Sequence, residues 1–72
     1  MEPVESSSIA AIGYAPESRE LRVRFRESRE TYVYFDVEPW VADEFMSAES
    51  KGAFLNRRIK DRYPYSGPDG GA

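Results

Sequence analysis

Between Leu21 and Arg26 the chain alternates strictly, with Leu21, Val23 and Phe25 on one side of an extended backbone and Arg22, Arg24 and Arg26 on the other. Successive side chains of a strand point to opposite faces, so this is the pattern of an antiparallel strand with one face buried and one in water. The apolar face needs a cover, and a chain of 72 residues supplies one domain only. A core this small depends on large side chains. Ten aromatics provide them: Tyr14, Phe25, Tyr32, Tyr34, Phe35, Trp40, Phe45, Phe54, Tyr63 and Tyr65.

The flanking segments fit around that strand. Ser7 to Tyr14 reads as a first strand, and Ala15-Pro16-Glu17-Ser18 as the turn that follows. A third strand runs from Thr31 to Val37, and the turn before it decides which way its side chains face. A two-residue Ser28-Arg29 turn sets Tyr32 opposite Phe25 and Tyr34 opposite Val23, with both tyrosines toward the core; this is the register favoured here. A loop one residue longer turns the tyrosines to the arginine face and buries Val33, Phe35 and Val37. Pro39 then opens a helix whose apolar stripe is Val41, Phe45 and Ala48, with Asp43 and Glu44 on the other side. Ser50 caps a second helix from Lys51 to about Arg62, with Leu55 and Ile59 as its core pair, and Pro64 ends it. The expected fold is α+β: a three-stranded antiparallel meander followed by two short helices packed on one face. Residues 1–6 read as a flexible start, 7–65 as the domain and 66–72, rich in Gly and Pro, as a disordered tail.

Composition narrows the chemistry. There is no His and no Cys, so the usual base near neutral pH, the commonest metal ligands and thiol nucleophiles are missing. No metal, cofactor or catalytic site is expected, and the chain reads as a noncatalytic protein. The start carries no signal-peptide pattern and no stretch is long and apolar enough for a membrane span, so a cytoplasmic location is expected. The net charge is −3, but it is blocked. Residues 19–29 hold five Arg against two Glu, residues 30–50 hold six acids and no base, and residues 51–62 hold five bases against Asp61. Two basic segments on one face would form a local positive patch.

The Tyr32-Val33-Tyr34 triplet followed by Ser50-Lys51-Gly52, Phe54, Asn56 and Ile59 resembles the KTSC domain, a bacterial family named for its place at the C-terminus of some lysyl-tRNA synthetases. The resemblance spans about residues 4–65 and implies the fold just described. The family has no established activity; its company beside a synthetase suggests RNA. The Glu27–Glu30 turn departs from the pattern, since relatives tend to carry a glycine there. The residues that would contact RNA are Lys51, Arg57, Arg58, Lys60 and Arg62, with Arg22, Arg24, Tyr32 and Tyr34 on the sheet. The tyrosines serve base stacking if they face outward beside the arginines and packing if they face inward. At Ser50-Lys51-Gly52 the choice is between holding an anion and packing closely under a helix cap. Asn56, inside a helix, suggests a specific hydrogen bond. The alternative function is protein interaction or dimerisation through the sheet face or Trp40.

Overall fold

The strictly alternating segment lies at the centre of a sheet. The computed structural model describes residues 2–3 and 8–68, and the chain runs β1 (Glu2–Pro3), β2 (Ile9–Ala15), β3 (Glu20–Phe25), β4 (Thr31–Tyr34), α1 (Pro39–Ser47), α2 (Lys51–Phe54), a π turn (Leu55–Ile59) and β5 (Tyr65–Ser66). The strands are antiparallel and stand in sequence order. The expected meander is β2-β3-β4, and a two-residue strand extends it at each edge. Ser66, read from sequence as tail, is paired with Val33 in the ladder. The flexible start and the end of the tail fall largely on residues 1, 4–7 and 69–72, which lie outside the described residues.

The hairpin turn differs from expectation in length. Phe25 N–H donates to the Glu30 carbonyl at 2.9 Å, closing a loop of Arg26 to Arg29 in place of a two-residue turn. Tyr34 therefore pairs with Leu21 and Tyr32 with Val23. The register is displaced by two residues, and because the strand period is two the side chains keep the expected faces. Both tyrosines point to the core side, with Tyr34 only 3% exposed. Arg29 closes the loop in the left-handed region, at φ 58°.

The core is one cluster on one face of the sheet: Ile9, Ile12, Leu21, Val23, Tyr34, Val37, Val41, Phe45, Leu55 and Ile59. α1 contributes Val41 and Phe45 of the expected stripe and Ala42 in addition, while Ala48, the third expected member, lies just past the helix in extended backbone and is half-buried. The Ser50 hydroxyl accepts from Ala53 N–H at 3.3 Å, the expected cap. The second helix does not continue regularly to Arg62. Lys60 N–H donates to the Leu55 carbonyl at 2.7 Å, an i→i+5 bond that widens the backbone into the π turn. Leu55 and Ile59 stay buried through it. Three long-range bonds close the domain. Tyr14 Oη donates to the Val37 carbonyl at 2.5 Å, Val37 N–H to the Arg19 carbonyl at 3.0 Å, and Phe35 N–H to the Pro64 carbonyl at 2.8 Å.

Candidate functional site

A groove of about 500 Å³ opens where the hairpin end of the sheet faces the π turn. Its sheet wall is a run of rings carried by β3, β4 and β5. Phe25 meets Tyr32 edge-on at 5.5 Å between centroids, Tyr32 meets Tyr65 at 5.8 Å, and Tyr65 meets Tyr34 at 5.7 Å. These positions share a face because Tyr34 sits directly opposite Tyr65, and Tyr32 lies two residues along the same strand. The facing wall holds Gly52, Leu55, Asn56 and Lys60, with Ser8 at one end and Glu27, Ser28 and Glu30 on the hairpin lip. Two glycines let the walls close. A Cβ on Gly52 would stand 2.7 Å from Ser8 Oγ, and one on Gly67 would stand 2.6 Å from the Tyr32 ring.

Asn56 and Lys60, four residues apart, share a helix face in any case, and the π turn rotates Lys60 toward the groove. In a regular helix Lys60 would lie across from the apolar face, as the sequence reading has it. The i→i+5 closure carries residue 60 beneath residue 55 instead, so Asn56 and Lys60, each following a buried core residue, both line the opening. Single wide turns of this kind occur often at functional sites. The Asn56 side chain makes no hydrogen bond to another described residue; its amide is left to the groove. The specific bond expected from sequence is absent among the described residues.

The remaining candidates disperse. Arg22 and Arg24 are exposed on the other face of β3, opposite Gly13 and Ala11 of β2, so they do not join Tyr32 and Tyr34 in one stacking platform. Strand alternation separates them. Arg22 pairs with Glu20 at 3.2 Å. The Lys51 ammonium donates to the Ala48 carbonyl at 2.8 Å, tying off the end of α1. With Ser50 engaged as a cap and Gly52 pressed against Ser8, this corner has the packed arrangement and not the anion-holding one. Arg58 pairs with Glu44 at 3.4 Å and lies 5.2 Å over the Phe54 ring. Arg57 and Arg62 are exposed and make no ion pair with another described residue. Trp40 is 61% exposed on α1, away from the core.

Sequence reasoning missed Phe25, Tyr65 and the two lip glutamates as groove residues. Tyr65 carried a weak signal: Pro64 ends the helical segment, leaving an aromatic just beyond it to be placed against the sheet. The titrating groups around the core are tyrosines. Burial raises the Tyr34 phenol above its ordinary value, and the neighbouring Tyr32 and Tyr65 add to this. Burial likewise raises Tyr14. Tyr63 is pushed up to about 12 by burial and by the hydrogen bond it donates to Glu38. That bond, at 2.7 Å, in turn holds the Glu38 carboxyl below its ordinary value. Among the described residues no group of acidic side chains could hold a metal ion.

Comparison with known proteins agrees with this architecture. The family model described as the KTSC domain matches residues 5–63. A protein of Tsukamurella paurometabola is 46% identical over 63 residues, covering 88% of this chain and 92% of its own. The crystal structure of a KTSC domain protein from Yersinia pestis superposes with a TM-score of 0.85 at 43% identity, over 90% of each chain.

Proposed function

The chain belongs to the KTSC domain family, and from that premise we propose that it is a noncatalytic module that binds single-stranded RNA in the groove between the tyrosine wall and the π turn. The observation that carries this reading is the pairing of Tyr32 and Tyr65 on one wall with Asn56 and Lys60 on the other. Exposed rings stack unpaired bases, and such contacts tolerate sequence because every base has a π face. Tyr65, 56% exposed, is the ring best placed to accept one. The Asn56 amide has donors and an acceptor for a base edge, and Lys60 offers a charge to the adjoining phosphate. Arg57 and Arg62 extend that charge along the same segment. Arg58 can join them, since an exposed ion pair such as its contact with Glu44 is weak. The absence of His and Cys leaves the groove without the usual base or nucleophile, which supports binding over turnover.

Amide NMR titration with a mixed-sequence RNA octamer at low and raised salt tests the reading. The expected result is salt-sensitive movement of Tyr32, Asn56, Lys60 and Tyr65, with Lys60→Gln lowering the slope of log affinity against log salt by about one. A spectrum that stays still at every salt concentration overturns it. In that event exposed Trp40 makes a protein partner at α1 the next reading, since tryptophan is enriched at interface anchors.

A further inference from the structure

Tyr34 is the one tyrosine inside the hydrophobic cluster, and its hydroxyl has no partner in the fold. Tyr14 and Tyr63 only pack against that cluster, yet both engage their hydroxyls: Tyr14 donates to the Val37 carbonyl and Tyr63 to the Glu38 carboxylate. Tyr34, 3% exposed, makes no side-chain hydrogen bond to another described residue. Packing does not account for that hydroxyl, because a phenylalanine fills the same space with no polar atom to desolvate. Nor is the hydroxyl sealed in. Among the described residues, no fully enclosed side-chain oxygen or nitrogen lacks a hydrogen-bond partner. The Tyr34 Oη therefore has an opening, and Tyr34 lines the groove.

The surroundings decide what that oxygen can meet. The Tyr65 ring lies 5.7 Å from the Tyr34 ring and 5.8 Å from Tyr32, so the wall beside the hydroxyl is aromatic. Across the groove stands the Asn56 amide, likewise without a described partner. Burial holds the Tyr34 phenol above its ordinary value, so the hydroxyl keeps its proton and can both donate and accept. A flat ring stacked on exposed Tyr65 turns one edge into the groove, toward these two polar groups. We infer that Tyr34 is the base-reading residue of the groove: its hydroxyl bonds the edge of the base stacked on Tyr65, and Asn56 meets that edge from the opposite wall. This rests on the RNA reading above and adds selectivity among bases, which stacking and phosphate contacts alone do not confer. A buried polar atom satisfied only by the right edge rejects a wrong one, because the wrong one leaves it unpaired.

The test compares Tyr34→Phe with the parent chain on oligo-A, oligo-C and oligo-U octamers, on an abasic octamer of the same backbone, and in a denaturant melt. The parent should bind its preferred octamer at least about fivefold more tightly than the least favoured one. Tyr34→Phe should lose at least about fivefold on the preferred octamer, narrow the spread among bases and keep the parent's affinity for the abasic strand. Its salt slope should equal the parent's, since a neutral hydroxyl releases no counterion. Its denaturation midpoint should hold or rise, since the fold loses no hydrogen bond. Parent-like affinity of Tyr34→Phe for all three RNAs, with Lys60→Gln still weakened, overturns the base-reading role and leaves the groove reading standing. Equal weakening on all four oligomers, or weakening that tracks a lowered midpoint, gives Tyr34 a structural role only and overturns it as well. If the parent binds no RNA at any salt, both readings fall together.

Discussion

The two faces of this sheet are built from alternate residues of the same four strands, yet they share almost nothing. On the inner face one row runs Tyr14, Leu21, Tyr34, Tyr65 and the next Ile12, Val23, Tyr32. The corresponding outer rows run Gly13, Arg22, Val33, Ser66 and Ala11, Arg24, Thr31. The inner face is capped by α1, α2 and the π turn and holds the whole hydrophobic cluster. The outer face carries arginines and small side chains, with Val33 buried among them. In a domain too small for a second core, the covered face supplies the cohesion and the groove together, because the groove is where the helices stop short of the hairpin end. Within β3, the arginines are confined to the face with no core to disturb.

That division gives the sharpest tests. Tyr34→Ala removes a ring from the inner face and should lower stability by about 3 kcal/mol or more, read from denaturant melts. Arg22→Gln, one position along the pairing on the outer face, should move it by less than about 0.5 kcal/mol. Equal costs would break the comparison. A smaller effect is expected from Gly67→Ala, whose new methyl meets the Tyr32 ring and must displace it. The cost should be about 1–2 kcal/mol, with the aromatic wall shifted in the NMR spectrum. Smallest is the contribution of the Tyr63–Glu38 bond, seen only at the ends of the pH range. Glu38 is depressed below 4.5 in the fold, so its stabilisation is present above that value and is lost as the pH falls through the lowered one. Tyr63 is raised from 10.0 to about 12, so its contribution is present below pH 10 and is lost as the pH climbs toward 12. Tyr63→Phe should flatten both limbs of a stability–pH profile and leave the middle unchanged in shape.

Much of the inner face was legible in the sequence, because period-two and helical patterns report which side of an element is buried. Leu21, Val23 and Phe45 could be assigned from spacing alone, and the face of Tyr32 and Tyr34 followed from a register whose parity proved right although its turn was two residues too short. What spacing cannot report is a change of helical period. The π turn leaves Leu55 and Ile59 where a regular helix would put them, so nothing in the apolar pattern marks the shift that turns Lys60 to the groove. The loop was opaque for a similar reason. Its left-handed residue is an arginine, and the glycine that would have signalled the turn is not there. The separation of Arg22 and Arg24 from the tyrosines, by contrast, was already contained in the alternation once the register was chosen.

The pairing of Tyr65 with Tyr34 bears on how the molecule matures during synthesis. A chain emerging from its N-terminus can pair β2, β3 and β4 as soon as residue 34 is clear, and can dock α1 soon after. The groove at that stage has one ring fewer, and the outer edge of β4 is open. Only when residues 63–66 arrive do Tyr63 reach Glu38, Pro64 reach Phe35 and Tyr65 lie down beside Tyr34. Such sequence-distant contacts are the slow ones to form. Closure of the sheet edge and completion of the groove are therefore reached in the same late step, and a nascent chain presents no finished groove before it.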